Sequence, residues 1–545
     1  MDGWAEMNYP KYWFAAVLCV AMVGVGAVQA KAPPVVDPAA CAAMAGWRFP
    51  ATQIGSAVWQ SAGPAKIPTA TGIMVSYDLP AHCVVQGITS PYRDKAGRAY
   101  GVKFELRLPA AWNGRFLFQG GGGLDGVVRP AYGDANGAKP GLARGFAVVS
   151  MDGGHEGLDA SFAANQQARL DFAYRAIGKA TAVAKAAIAH FYDKAPSFSY
   201  FEGCSNGGRE AMMAADRYPL EFDGIVAGDP GFRLAHAAVA EAWNNQHLAA
   251  IAPKGADGAP DLAAALGDGD LTLIKNQLLD QCDGLDGLRD GVINNQAACH
   301  FSPASLQCKP GQTANCLSAA KIAAIQAVFG GAHDSKGNAL YSGFPYDGGI
   351  AEMGWRLWML GIPHQMKSLN VILGGPSLSL YFMTPQQPDR SVYTLDFDHA
   401  DAEIAQTAAI NDADSTMLNS FSGHGGKLLI YQGTSDPVFS ALDVQAWYRH
   451  LVATDSDADS YARLFMVPGM NHCGGGVATD QFDPLSAVQA WVEQHRAPDR
   501  IVATGAALPG QSRPLCAYPR YAQFQGGDQR QAASFACVAA DATKH

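Results

Sequence analysis

Apolar and polar positions alternate with a period of two along residues 102–108 (V-K-F-E-L-R-L), which predicts a strand with one buried face. Short apolar runs at 115–119, 146–150, 197–202 and 225–227 predict further strands. Residues 166–192 carry an Ala-rich helical pattern, and 207–218 reads as a helix that directly follows a strand. The rhythm returns late in the chain, with strands at 427–431 and 463–467 and helices at 441–452 and 484–495. Strands alternating with helices predict an α/β fold around a mainly parallel sheet. Residues 232–420 break the rhythm. They are rich in Gly, Pro, Asn and Asp and hold four cysteines, so they are expected to form a large inserted lid domain stapled by its own bridges. The expected catalytic domain is then 31–231 together with 421–545.

Composition narrows the function. Of 545 residues, 48% are hydrophobic and 16% charged, enough apolar surface for a large core and too much for a disordered chain. A net charge of −10 argues against a nucleic-acid partner. Near the start, Lys11 precedes an apolar run over 12–28 that ends in Val28-Gln29-Ala30. This predicts a signal peptide over 1–30, cleaved to leave a secreted or periplasmic protein with no stable membrane association. The rival reading is an uncleaved anchor.

There are eleven cysteines, and Cys19 lies in the expected signal. Ten remain, with no Cys-x-x-Cys pair, which favours disulfides over metal thiolates. Neighbour pairing suggests Cys41–Cys83, Cys282–Cys299, Cys308–Cys316 and Cys516–Cys537 and leaves Cys204 and Cys473 over. Spacing alone does not set the connectivity.

Gly203-Cys204-Ser205-Asn206-Gly207 fits G-x-S-x-G between a predicted strand and a predicted helix. That context lifts a Ser hydroxyl above a sheet at a helix N-terminus, as in the α/β-hydrolase fold; the bland alternative is an ordinary Gly-rich turn. A nucleophile of this kind needs two amides to hold an oxyanion. The residue after it, Asn206, is one candidate, and the run Gly120 to Gly123 after an earlier strand offers Gly121 and Gly122. The acid and base should follow in the order Ser, Asp, His, each past a late strand. Asp436, in Thr-Ser-Asp-Pro, and His472, in Gly-Met-Asn-His-Cys, stand in those places. His472 would take the Ser205 proton, and Asp436 would orient the imidazole. Asp229 follows an earlier strand and is read as structural; His155 also follows a strand and is a possible pocket residue.

These residues together resemble the tannase and feruloyl esterase family, through Cys204-Ser205, Asp436 and His472-Cys473 and the stretch G-C-S-N-G-G-R-E-A-M from Gly203. The resemblance covers nearly the whole mature chain. It implies an α/β-hydrolase with a lid, an ester substrate and a Cys204–Cys473 bridge that holds nucleophile and base in register. It also implies a structural Ca²⁺ in the lid, held by side chains of Asp283, Asp286 and Asp290 and the carbonyls of Leu288 and Val292. Read from the residues alone, this loop is an acidic turn of hard oxygen donors that lacks EF-hand spacing.

The expected substrate is a small aromatic ester. Trp355 and Phe382 are the preferred pocket residues among several lid aromatics, which include Phe344, Tyr346, Trp358 and Tyr381, and Phe439, three residues after Asp436, is a further candidate. A terephthalate monoester would need a cation for its free carboxylate, and Arg356 and Lys367 are the basic residues at hand. The reading that emerges is a phenolic-acid esterase, most like a feruloyl esterase, with galloyl and terephthalate esters as alternatives. A serine peptidase, or a binding protein on the same fold, is more distant.

Overall fold

A computed structural model describes residues 36–69, 72–133 and 137–540. The expected signal peptide and Cys19 lie outside the described residues. Nine strands form the main sheet: β1 Thr52–Gln60, β2 His82–Arg93, β3 Ala99–Pro109, β4 Arg115–Gln119, β5 Ala147–Met151, β6 Phe198–Cys204, β7 Gly224–Gly228, β8 Lys427–Gly433 and β9 Ala462–Val467. Their order is β1-β2-β3-β5-β4-β6-β7-β8-β9. The first three and β5 pair antiparallel, and from β5 onward every neighbour is parallel.

The parallel strands bury both faces, which is why they read as apolar runs rather than as alternation. Phe116, Phe118, Phe201, Ile225, Leu428 and Ile430 face one layer of helices. Their neighbours Leu117, Tyr200, Val226 and Leu429 face the other, together with Leu485 and Val488 of the helix Pro484–Gln494. The nine strands place no residue between 229 and 426 in the sheet. Residues from 234 to 404 instead build a second apolar cluster around Trp243, Phe329, Trp355 and Phe382, which Tyr100, Leu124, Phe162 and Phe172 also join. Val438 and Phe439, from the loop after β8, join this cluster and so connect it to the sheet.

Two segments depart from the sequence expectation. Residues 166–192 form one helical stretch interrupted by a single wide turn, Asp171–Arg175. Its widened ring frees backbone carbonyls, and the guanidinium of the fully buried Arg209 donates to two of them, Phe172 and Ala173. The first two strands, β1 and β2, and two late hairpins, Arg500–Thr504 with Ser512–Cys516 and Arg520–Phe524 with Phe535–Ala539, were not anticipated. Most of these strands are half-exposed, so their apolar content is too low to stand out.

Five disulfides join the described cysteines: Cys41–Cys83, Cys204–Cys473, Cys282–Cys299, Cys308–Cys316 and Cys516–Cys537. Four are neighbours in sequence, whereas Cys204–Cys473 spans 269 residues. No helix among the described residues is long and apolar enough to cross a membrane.

Candidate active site

Ser205 sits on the sharp turn between β6 and helix α1, Asn206–Arg217, with φ 65° and ψ −125°. A non-glycine residue holds such angles only where its surroundings impose them, at a cost of about 1–3 kcal/mol. Here the imposing contacts are close. A Cβ on Gly203 would lie 2.5 Å from the Gly207 carbonyl oxygen, and one on Gly207 would lie 2.7 Å from that of Gly121. Only glycines let strand, helix and the 120–123 loop approach this closely. Ser205 thus precedes the first turn of a helix whose N-terminal dipole favours negative charge.

The loops after β8 and β9 bring Asp436 and His472 to this turn. His472 Nε2 lies 2.8 Å from Ser205 Oγ, and Nδ1 lies 2.9 Å from Asp436 Oδ2. A carboxylate only accepts, so Nδ1 carries the proton and Nε2 accepts from the serine hydroxyl. Asp436 is held by three further donors: the amides of Val438 and Phe439 and the side chain of Gln432. Burial alone would lower the His472 pKa. The adjacent Asp436 carboxylate outweighs it, Asp229 and Glu241 add to the effect, and the net shift is upward from 6.5.

Asp229 is fully buried beside this chain of hydrogen bonds, but it is not the acid partner. Its Oδ1 accepts from the Gly433 amide at 2.6 Å and its Oδ2 from the Cys473 amide at 2.7 Å. It therefore ties the ends of the two loops that carry Asp436 and His472. Burial and the nearby Asp436 push its pKa up. The Cys204–Cys473 bridge adds a covalent tie at the same point, with Cα atoms 6.0 Å apart.

The expected oxyanion donors separate. The Gly121 amide donates to Glu210 Oε2 at 2.9 Å, so it is already committed. Among the described residues the amides of Gly122 and Asn206 make no hydrogen bond. Glu210 lies beside Asp125, and burial raises the pKa of both carboxyls. The Asn206 side chain donates to Asp125 and accepts from Arg209, which fixes the start of α1. Sequence reasoning missed Asp125, Arg209 and Glu210. The visible signal was a charged Arg-Glu pair directly before the apolar run Ala211 to Ala215, just after the nucleophile.

A pocket opens beside Ser205. Trp358, Phe382, Val438 and Phe439 form much of its wall, and Glu241 and Ser377 are polar members. Trp358 and Phe439 meet the His472 ring edge-on, at 5.6 and 5.3 Å. Phe382 and Phe439 stand where the sequence suggested. Trp355 does not: it is buried in the cluster of residues 234–404 and stacks on Phe329, while Trp358, on the same helix, faces the site. His155 is buried against Phe162, away from this pocket. Neither basic residue reaches it: Arg356 donates to the carbonyls of Ala263 and Leu266 and pairs with Asp268, and Lys367 pairs with Asp257.

The acidic loop lies elsewhere, packed against the late hairpins. Asp283 accepts from the amides of Asp290 and Gly291, and Asp286 from the Leu288 amide and Asn294. Asp290 pairs with the buried Arg513. The Leu288 side chain packs on Cys516, Ala522 and Phe535, and Val292 is buried. The three carboxylates do not all come within 4.8 Å of one another. Among the described residues the groups that do are Asp229, Asp436 and His472, and Asp229 with the bridged Cys204 and Cys473.

The parallel sheet, the strained serine turn and the late acid and base loops define an α/β-hydrolase. More narrowly, the chain belongs to the tannase and feruloyl esterase family of carboxylic ester hydrolases, whose family model matches residues 83–538. It is 38% identical over 566 aligned positions to a mono(2-hydroxyethyl) terephthalate hydrolase of Piscinibacter sakaiensis, spanning 93% of this chain and 92% of that one. It is 30% identical to feruloyl esterase C of Talaromyces stipitatus, over 77% of this chain and 79% of that protein. The crystal structure of feruloyl esterase B from Aspergillus oryzae superposes with a TM-score of 0.76 at 26% identity, over 92% of this chain and all of that one. Tannin acyl hydrolase from Aspergillus niger shares the fold, with a TM-score of 0.69 at 21% identity over 90% of this chain and 92% of that one.

Proposed function

We propose that this chain is a secreted serine esterase that cleaves esters of phenolic aromatic acids through an acyl-enzyme. The observation that carries the reading is the unbroken chain Ser205–His472–Asp436, with spacings of 2.8 and 2.9 Å, at the mouth of an aromatic-walled pocket. In the first half-reaction Ser205 Oγ attacks the ester carbonyl while His472 Nε2 takes its proton. The C–O bond to the alcohol then breaks, and the imidazolium returns that proton to the leaving oxygen. Water repeats the sequence on the acyl-enzyme and frees the acid. Asp436 holds Nδ1–H and stabilises the imidazolium. The oxyanion is assigned to the amides of Asn206 and Gly122, backed by the dipole of α1.

The acyl ring is assigned to the space between Trp358, Phe382 and Phe439, where edge and face contacts suit a planar group. Residues 232–420 act as the lid that supplies this wall. The loop of Asp283, Asp286 and Asp290, with the Leu288 and Val292 carbonyls, is assigned to a calcium ion. Its donors are all oxygen, two of its carboxylates are buried, and the Cys282–Cys299 bridge clamps it. Bound calcium supplies a structural cross-link and no chemistry at Ser205. Export through the signal over 1–30 is supported by the five bridges, which persist in oxidising compartments.

A second reading, hydrolysis of a terephthalate monoester, is favoured by the 38% identity to a protein of that name. Turnover of methyl ferulate, methyl gallate and mono(2-hydroxyethyl) terephthalate, with Ser205→Ala as control, tests both. Activity on a phenolic ester that vanishes in the control supports the first reading. Preference for the terephthalate supports the second, and no ester turnover by folded protein overturns both.

A further inference from the structure

The helix Leu234–Ala249 presents Leu234, Ala238 and Glu241 to the pocket, positions i, i+4 and i+7 on one face. The first two are apolar, as a wall for an aromatic ring requires. Glu241 is only 8% exposed, and no hydrogen bond or ion pair joins its carboxyl to a described residue. The hydroxyl and amide side chains of the pocket are committed. Ser205 belongs to the His472 chain, Asn206 to Asp125 and Arg209, and the Ser377 hydroxyl donates to the Leu373 carbonyl. A buried, unpartnered carboxyl is costly unless something satisfies it. We propose that Glu241 is the specificity-determining residue of the acyl pocket and that it hydrogen-bonds a hydroxyl on the aromatic ring of the substrate acid.

The chemistry of the two groups matches. Burial lifts the Glu241 pKa to about 8, and His472 is the charged group that opposes the shift. A neutral carboxyl both donates and accepts, and so does a phenol. A terephthalate monoester instead carries an anionic carboxylate on its ring. Among the described residues no Lys or Arg lines the pocket to receive it, and at Glu241 it would meet another acid. The inference therefore selects phenolic esters over the substrate named for the 38%-identical relative. It rests on the esterase reading of Ser205 and deepens it.

The test uses matched esters on the full chain: methyl p-hydroxycinnamate, methyl cinnamate without the hydroxyl, and mono(2-hydroxyethyl) terephthalate. p-Nitrophenyl acetate, with and without Ser205→Ala, reports the esterase reading separately. Wild type is expected to prefer the hydroxylated ester over both others by about 10- to 100-fold in kcat/KM, the size set by one buried hydrogen bond made or left open. Glu241→Leu should shrink the hydroxyl preference to within about threefold, whereas Glu241→Gln, which still donates and accepts, should keep most of it. Melting curves of both variants establish that they fold, and Glu241→Gln keeps the test open if Glu241→Leu does not. Acetate turnover that depends on Ser205, with no hydroxyl preference in wild type or an undiminished one in Glu241→Leu, overturns the inference alone. Equal turnover of the terephthalate and hydroxylated esters also overturns it. No turnover of any ester overturns the esterase reading beneath it.

Discussion

The two walls around Ser205 are built on opposite principles. On the sheet side Asp436, Asp229 and Arg209 are each held several times over. Asp436 accepts from four donors, Asp229 from two amides, and the Arg209 guanidinium reaches Asn206 and three carbonyls. On the side of residues 234–404 the surface is apolar contact, broken by a single carboxyl with no described partner. Preorganised dipoles on the first wall lower a barrier common to all esters, and their value lies in not moving. A lone polar group on an apolar wall has value only when a particular substrate completes it. On the proposed mechanism, bond cleavage and substrate choice are separated in space, and substitutions on each side should fail differently.

The largest break of that contrast is Ser205→Ala. It should lower kcat by about 10⁶-fold on every ester, with melting shifted little, because the whole unit acts through one oxygen. Asp436→Asn should follow at about 10⁴-fold, through loss of the imidazole tautomer. It also sharpens a pH prediction. Because the His472 pKa is raised, its imidazolium persists above pH 6.5. The active form is the neutral ring, so kcat/KM should rise with pH and reach half its plateau above 6.5; in Asp436→Asn that limb should move down. A wild-type limb below 6.5 would contradict the assigned electrostatics.

Cys204→Ser with Cys473→Ser should give a folded protein that loses about 10- to 100-fold in activity, since the bridge fixes the separation of Ser205 and His472. Wild-type turnover in the double variant would remove the bridge from the mechanism, leaving registration to Asp229. Trp358→Ala and Trp355→Ala form a direct test of the two walls. The first should raise KM for aryl esters about tenfold with a small change in melting. The second should cost about 3–5 kcal/mol of stability and leave KM near wild type in the surviving fold. The smallest effect on turnover is expected from a strong chelator, which should lower melting by about 1 °C per kcal/mol of lost binding while kcat below the transition stays within twofold. No thermal shift would argue against a calcium site in the acidic loop.

Much of the sheet side was legible before folding was considered. Burial on both faces leaves apolar runs, and the G-x-S-x-G turn is a local event whose strand, glycines and helix are contiguous in sequence. Asp436 and His472 could be located because each follows a late strand. The wall from residues 234–404 was far less legible. Trp355 and Trp358 differ by about 60° of rotation on one helix, and nothing local says which face meets His472. Glu241 stands in an Ala-rich helix as one polar residue among several, and its meaning depends on Gly374 and Trp358, over a hundred positions away. The Gly121 amide seemed as free as that of Gly122 until Glu210 reached it across 89 residues.

The sequence by itself therefore determined the α/β class, the strained serine turn and the order of the residues now hydrogen-bonded to it, because these depend on period, on glycine and on chain direction. Only the tertiary structure decided which amides remain open, which tryptophan faces the site and which carboxyl is left without a partner. Those are properties of contacts between distant segments, and burial sets their energies only once the segments have met.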